Sequence, residues 1–428
     1  MTIKDLIKLV DGSFLNLPRD INKRIKSLKL DSRNISKDDA FICVNNGYLY
    51  ILDAINNGAS VIITDKDIRI NTDISIIKVD NIKEVMLKIA GYVRNKYRYI
   101  PLIMITGSVG KTTTKELLSH ILNIKYNILK NEGNKNNYIG ICDTIYNLNN
   151  EYDFVILEVG MNHFGEIEEI VSMLKPDYGI ITNIGTSHIG NLGSIDNILK
   201  AKLEITNGLK KDLIVPYLDR RLRHIKYSNI NRCEDIRITN VRVNNKLCFN
   251  LKYQSNKYDI VFSVPNKLYL SNILVAFEMA SYFNIPIESI VYGINSFESL
   301  YSRMNIINVG DYKIIDDTYN SSYESIKGVL DYMKNIDNKI IILGSVKELG
   351  KYSMKIHKRI NRLLKGIDKD KILLVGEETK YIKGIHFIDN DDINVYLNKI
   401  DKTGYTILVK GSRMMHMEEI VNNLNHQI

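Results

Sequence analysis

Short blocks of consecutive apolar residues alternate along this chain with longer stretches of helical spacing, and that alternation predicts an α/β protein. Near the start, residues 40–44, 61–64 and 76–79 have the length and content of buried strands, while 51–57 and 82–96 read as helices. From about residue 99 the pattern strengthens. A buried strand at 102–106 runs into a glycine-containing loop and a helix that begins at Lys111. Two more apolar strands follow at 153–159 and 177–184, with a helix at 166–174 between them. Strands that are apolar throughout and separated by helices belong to a mostly parallel sheet covered on both faces. Residues 225–264 alternate over shorter intervals and predict β structure, and a helix is expected at 271–283. A third α/β region starts near 305, with strands at 312–315, 339–343, 372–375 and 406–409.

A chain of 428 residues exceeds one ordinary core, since domains typically hold roughly 100–200 residues. No internal repeat or low-complexity linker is evident, and only six prolines punctuate the chain. The pattern therefore sets the boundaries, giving three domains at 1–98, 99–304 and 305–428.

A hydrophobic fraction of 45% with 25% charged residues is that of a globular protein. The net charge of +9 invites a nucleic-acid reading. The lysines, however, are spread along the chain among Asp, Glu, Asn and Ile, without the dense basic block of a nucleic-acid-binding arm, so no nucleic-acid partner is expected. A diffuse positive field still favours anionic substrates such as nucleotides. Cys43, Cys142, Cys233 and Cys248 lie far apart, with no pair at metal spacing, which speaks against disulfides and zinc. The N-terminus lacks a signal-peptide core, and no apolar run nears the ~20 residues that span a bilayer. A cytoplasmic protein acting on small molecules as a monomer is the expectation.

The strongest local signal is the run Thr106, Gly107, Ser108, Val109, Gly110, Lys111, Thr112 and Thr113 between an apolar strand and a helix. Glycines let the backbone wrap so that N–H groups face phosphate oxygens, and the helix adds its positive N-terminal end. Lys111 would reach the terminal phosphates of ATP and Thr112 would offer a hydroxyl to Mg²⁺. The first glycine stands three residues before Gly110, closer than in the general phosphate-loop pattern. The competing reading is a glycine-rich turn that happens to precede a lysine.

Three later residues bear on what would happen to ATP. Glu158 ends an apolar strand, at the edge where ligands gather in parallel sheets, and a carboxylate there can hold Mg²⁺. It could equally be a solvated strand-end acid. His188 follows the strand at 177–184, and a lone histidine is more often structural. Lys202 is the unusual one. Ser194 should cap a helix whose Ile195, Ile198, Leu199, Ile205 and Leu209 form one apolar stripe, with Lys202 in its middle and Lys200 and Glu204 facing away. A buried ammonium has a lowered pKa, and a neutral amine can react with CO₂ to give a carbamate, an anionic oxygen ligand. The other possibility is a lysine that snorkels to water along its stem.

Together these residues resemble the Mur ligase family of peptidoglycan synthesis, and in particular its dipeptide-adding branch. The resemblance spans nearly the whole chain. It is carried by LDSR (residues 30–33), TGSVGKTTTKE (106–116), NEGNKNNYIG (131–140), EVGMNHFGEI (158–167), NIGTSHIGNLGS (183–194) and AKLEI (201–205). It continues through SNILVA (271–276), DDTYNS (316–321), KELG (347–350) and KGSR (410–413). It implies an N-terminal UDP-binding domain, a central phosphate-loop ATPase domain and a C-terminal Rossmann-like domain. It further implies that residues 107–113 grip ATP, that Lys111, Glu158, His188 and Lys202 are catalytic, and that Thr112 and Glu158 serve one Mg²⁺. His188 and a carbamylated Lys202 would serve a second. Asn272 would contact adenine, while Arg303 and Asp317 would approach the nucleotide as the C-terminal domain closes. Ser32, Asn137, Asn320 and Arg413, inside these motifs, are the implied contacts to a UDP-linked muramoyl tripeptide and a D-dipeptide. The implied reaction makes an acyl phosphate from the tripeptide carboxylate and ATP, then an amide with the D-alanyl-D-alanine amine.

Four departures from the family pattern cluster where substrates are chosen. The loop after LDSR is shortened to Asn45, Asn46, Gly47, Tyr48, Leu49 and Tyr50. Leu268 stands where the family has a histidine, with Asn266 where glycine is common. A proline is absent after Asn320, and Tyr323 is expected to add bulk near the incoming amine. The family's GDM is Gly344, Ser345, Val346 here, so an acid is lost before Lys347. Rival readings are a divergent ligase taking another D-dipeptide or carboxylate, a folylpolyglutamate-like or amino-acid-adding ligase, a non-catalytic nucleotide-binding relative, and a phosphate-loop kinase or GTPase. A DNPR motif of the amino-acid-adding branch is absent. The short glycine spacing and the lysine on an apolar helix face argue against a kinase or GTPase.

Overall fold

The computed structural model describes residues 1–426 and carries four β-sheets. The first has the strand order Ser13–Asn16, Ser75–Lys78, Val61–Thr64, Ala40–Ile42, Leu28–Lys29. Only its edge strand Ser13–Asn16 is antiparallel. Helix Ile82–Lys96 leaves this sheet, capped by the Asn81 side chain on the Glu84 N–H.

The second sheet is parallel throughout, in the order Ile230–Asn231, Leu213–Ile214, Tyr178–Ile181, Leu102–Thr106, Phe154–Glu158, Ile128–Lys130. Leu102–Thr106 and Phe154–Glu158 are buried at every position, as strands covered on both faces must be. An antiparallel meander, Ile236–Val243, Leu247–Tyr253 and Asn256–Phe262, accounts for the alternation near 225–264. The last sheet runs Asn305–Val309, Tyr312–Asp316, Thr406–Lys410, Lys339–Gly344, Ile372–Val375, Ile385–Phe387, antiparallel only at its first pair.

The expected strand at 177–184 stops at Ile181. Residues 182 and 183 spend their polar groups on the phosphate loop instead. The Asn183 amide accepts from the Val109 N–H at 3.0 Å and donates to its carbonyl at 2.8 Å, and the Thr182 hydroxyl donates to the same carbonyl at 2.7 Å. The helix expected at 271–283 spans Tyr269–Ser281.

A buried ion pair ties the first unit to the second. Arg94, at the end of helix Ile82–Lys96, has its side chain 1% exposed and reaches Asp177 at 2.8 Å. Its other nitrogen donates to the carbonyls of Tyr97 and Ile100. Asp177 also accepts the Leu102 N–H at 2.9 Å, so one carboxylate joins that helix to the central strand. Burial brings the guanidinium down to about 10, against the pull of Asp177. Among the described residues no helix is long and apolar enough to cross a membrane.

Candidate active site

One cleft of about 820 Å³ opens between the phosphate-loop edge of the central parallel sheet and loops of the last sheet. Its floor is the phosphate loop. Gly110 caps helix Lys111–Leu122 with φ of 82°, and a side chain there would place Cβ 2.1 Å from the Asn272 amide nitrogen. Only glycine fits both the left-handed turn and that approach. Asn272, on helix Tyr269–Ser281, holds the loop by donating to the Gly110 carbonyl at 2.8 Å and the Thr114 hydroxyl at 2.7 Å.

Lys111 starts the helix, and its ammonium donates back to the Gly107 carbonyl at 3.0 Å. Crowding by protein lowers its pKa, the Glu158 carboxylate opposes that, and Arg303 adds to it. Thr112 donates its hydroxyl to Glu158 Oε2 at 2.6 Å. Glu158 is 2% exposed, so it is not a solvated strand-end acid. Its position is fixed from the Asn-rich segment. Asn136 donates to Glu158 Oε1 at 2.7 Å, and the Asn131 amide pairs with both backbone groups of Glu158 at 2.8 and 2.9 Å. The buried Lys115 ammonium in turn donates to the Asn131 carbonyl. These asparagines were visible in the sequence only as a motif; their task is to aim an acid.

Loops of the last sheet, together with the segment that leads into its first strand, form the roof. Arg303 donates to the Thr112 hydroxyl at 2.9 Å, and its guanidinium carbon lies 3.9 Å from the centroid of the Tyr319 ring. Asp317 meets the buried Lys410 ammonium at 2.6 Å and accepts the Met304 N–H at 3.2 Å. Burial raises its pKa, and Lys410 works against that rise. Lys410 also donates to the Asn320 carbonyl at 2.9 Å, which shapes the loop that carries Asn320 into the cleft. Arg413 lines the same wall and pairs with Glu418 at 3.0 Å.

His188 and Lys202 sit differently. His188 lines the cleft with φ of 62°, its Nδ1 2.8 Å from Glu348 Oε2. Glu348 stands in the sequence as one member of the KELG motif, yet its side chain crosses from the last unit to the central one. The adjacent His188 imidazole pulls its carboxyl below the usual range, burial opposes this, and Lys111 reinforces it. Lys202 is 1% exposed, which removes the snorkelling alternative. Among the described residues nothing pairs with its ammonium. Burial and the nearby positive Lys111 both press its pKa well below the ordinary lysine value. Ser194 caps its helix as expected, accepting from the Asn197 N–H.

Two expectations fail, those for Glu204 and Tyr323. Glu204 does not face away. The helix ends at Leu203 and tightens into a 3₁₀ turn, Glu204–Gly208, which breaks the period and swings the carboxylate inward. It is 9% exposed and caps helix Glu166–Leu174, accepting from the Gly165 N–H at 2.8 Å and the Glu168 N–H at 3.3 Å. Tyr323 does not crowd the cleft; it packs beneath Arg359, with 4.0 Å from guanidinium carbon to ring centroid. Ser32 is buried in the first unit and is not part of the cleft wall. Asn137 does line it, but its side chain caps helix Tyr138–Tyr146 by accepting from the Gly140 N–H. Leu268, in the histidine's place, lies at the cleft with its methyl group beside Gly328 of the last unit. Lys83, which the sequence did not single out, enters the cleft from helix Ile82–Lys96 and pairs with Glu169 at 2.5 Å.

Comparison with known proteins places this geometry. The Mur ligase middle domain matches residues 105–280. The chain is 30% identical to the UDP-N-acetylmuramoyl-tripeptide–D-alanyl-D-alanine ligase of Rickettsia prowazekii, with 92% of this chain and 94% of that protein aligned. Identity is 32% to the protein of the same name from Buchnera aphidicola, over 94% of this chain and 92% of the relative. A crystal structure of MurF from Acinetobacter baumannii superposes with a TM-score of 0.91 at 26% identity, covering 100% of this chain and 99% of that one. The MurF ligase of Thermotoga maritima in complex with ADP shares the fold, at a TM-score of 0.83 and 24% identity over 93% and 97% of the two chains.

Proposed function

Because the chain belongs to the Mur ligase family, we propose that it joins D-alanyl-D-alanine to the terminal carboxylate of a UDP-N-acetylmuramoyl-tripeptide at the expense of ATP. The observation that carries this reading is the meeting of Lys111, Thr112 and Glu158 with Arg303, Asp317 and Asn320 in one cleft. It brings phosphate-binding groups of the central sheet against the loops of a second α/β unit.

In this reading residues 99–304 hold ATP, residues 1–98 hold the UDP end of the first substrate, and residues 305–428 close over both and receive the dipeptide. The triphosphate lies on the N-terminus of helix Lys111–Leu122, with Lys111 reaching the terminal phosphate. A carboxylate oxygen of the tripeptide attacks the γ-phosphorus and ADP leaves, which gives an acyl phosphate. Arg303 and Lys111 offset the charge that gathers as two anions approach. The dipeptide amine, having lost its ammonium proton, attacks the acyl carbon; the C–O bond to phosphate breaks and an amide remains. Asn320 and Arg413 stand where they would orient the dipeptide. Closure over the cleft excludes water that would otherwise hydrolyse the acyl phosphate.

The donor set fits magnesium. Thr112 and Glu158 offer hard oxygens, and His188 offers an imidazole. Lys202 is an unpartnered buried amine, the kind of group that gains a binding role once carbamylated. Among the described residues no three His, Cys, Asp or Glu side chains group closely enough to hold a metal by themselves. Bound Mg²⁺ would neutralise phosphate oxygens.

Phosphate release from ATP, measured with a UDP-muramoyl-tripeptide and a panel that includes D-alanyl-D-alanine and D-alanyl-D-serine, tests the proposal. Release that needs both the tripeptide and D-alanyl-D-alanine supports it. Release with another dipeptide alone, or with none, overturns the named substrate.

A further inference from the structure

The segment that follows strand Lys339–Gly344 reaches across to the loop that carries His188, and the two grip each other through their backbones. The Gly190 N–H donates to the Glu348 carbonyl at 3.0 Å. A Cβ on Gly190 would fall 2.6 Å from that carbonyl oxygen and 2.7 Å from the Gly350 nitrogen. The Tyr352 hydroxyl donates to the Gly193 carbonyl. Both His188 and Glu348 have φ of 62°, a conformation that non-glycine residues hold only where their surroundings impose it, and such residues concentrate at functional sites. The outcome is that Glu348 Oε2 lies 2.8 Å from His188 Nδ1 inside the cleft.

Resting on the reading of this cleft as a metal-dependent ligase site, we propose that Glu348 is a positioning residue for His188, delivered by docking of the C-terminal unit. An imidazole whose Nδ1 stands 2.8 Å from a carboxylate favours the tautomer protonated on that nitrogen, which keeps the lone pair on Nε2 and holds the ring in place. Nε2 is then the nitrogen available to a cation in the cleft. Glu348 touches neither ATP nor the amine in this scheme and acts through the ring. The arrangement makes the metal site incomplete while the units are apart, so closure and metal affinity are one event.

The test compares wild type with Glu348→Gln, Glu348→Ala and Glu348→Asp. Mn²⁺ binding is titrated by electron paramagnetic resonance with ADP present, alongside kcat and the KM for ATP. Half of the Glu348 side chain is exposed, so these variants should fold. Loss of an outer partner of a ligating histidine typically costs about 10–100-fold in metal affinity. Glu348→Ala should weaken Mn²⁺ by that order and lower kcat, with KM for ATP little changed, and Glu348→Asp should recover part of both. In a His188→Ala background Glu348→Ala should cost nothing further. Unchanged Mn²⁺ affinity in Glu348→Ala, or a full additional loss on top of His188→Ala, overturns the proposal. If the wild type releases no phosphate with tripeptide and dipeptide while Mn²⁺ affinity still falls in Glu348→Ala, the ligase reading fails and the positioning role stands.

Discussion

Thr112 and Glu158 come from the first turn of one helix and the last residue of the neighbouring strand, and they meet hydroxyl to carboxylate at 2.6 Å. The pair is set by the sheet itself, because parallel strands deliver their C-terminal ends and the following helix N-termini to the same edge. Lys111 precedes Thr112 by one residue and inherits that placement.

Lys111→Ala should therefore abolish phosphate release while leaving the fold intact. Removing a cation from the site of developing charge costs on the order of 10²–10³ in rate or more. Phosphate release and far-ultraviolet circular dichroism, read together, check this. A variant that keeps near-normal turnover would displace Lys111 from the mechanism.

Lys202 should be a residue the protein would be more stable without. Its pKa lies well below the ordinary 10.5, so between those limits the unfolded chain binds more protons than the folded one. Stability of the unmodified protein then rises with pH across that window. Lys202→Met should be more stable than CO₂-depleted wild type at neutral pH by about 1–3 kcal/mol, the cost of an unpartnered buried polar group. The difference should close as pH approaches that of free lysine. Thermal melts in bicarbonate-free buffer over a range of pH measure it. Lys202→Ala should be inactive and partly restored by short carboxylic acids; full activity of that variant at low bicarbonate would remove the carbamate from the scheme.

Asp177→Ala should loosen the first unit from the second. It leaves the Arg94 guanidinium buried without its counter-charge, and breaking such a pair typically costs about 3–5 kcal/mol. Urea unfolding gives the value. A loss below about 1 kcal/mol would mean that Arg94 is satisfied by its backbone carbonyls alone.

Glu378 should make acid stability measurable in the last unit. Burial pushes its carboxyl up, but the Lys347 ammonium at 2.7 Å helps bring it down to about 2. A depressed carboxylate contributes stability above its ordinary 4.5, lost as pH falls from there toward about 2. Glu378→Gln should cost about 1–2 kcal/mol at neutral pH, allowing for solvent screening, and nothing at the acid end of that window. The pair also gives Lys347 a role where the family pattern has lost an acid.

The strands of the sheets were legible because buried parallel strands are apolar at every position, as in Leu102–Thr106 and Ile372–Val375. The phosphate loop was legible from its glycines. Lys202 was found because a charge on an apolar stripe breaks a period that is otherwise kept. Glu204 was misjudged for the same reason, since a projection at one fixed period cannot show that the helix tightens after Leu203. Tyr323 was misplaced because the sequence does not say which face of its helix meets Arg359. Glu348 and Lys83 could not be ranked at all, as each acquires meaning only from a partner more than eighty positions away in the chain.

The stacking of Arg303 on Tyr319 has an optical consequence. The chain contains 26 tyrosines and no tryptophan, so its native emission is a blur of many weak sources. Tyr319→Trp would put a lone indole under the guanidinium that spans the roof and floor of the cleft, and an aromatic of that size keeps the cation contact. Every opening of the roof would uncover that ring to water and every closing would shield it, so the colour and brightness of one residue would follow the enzyme's cycle in real time.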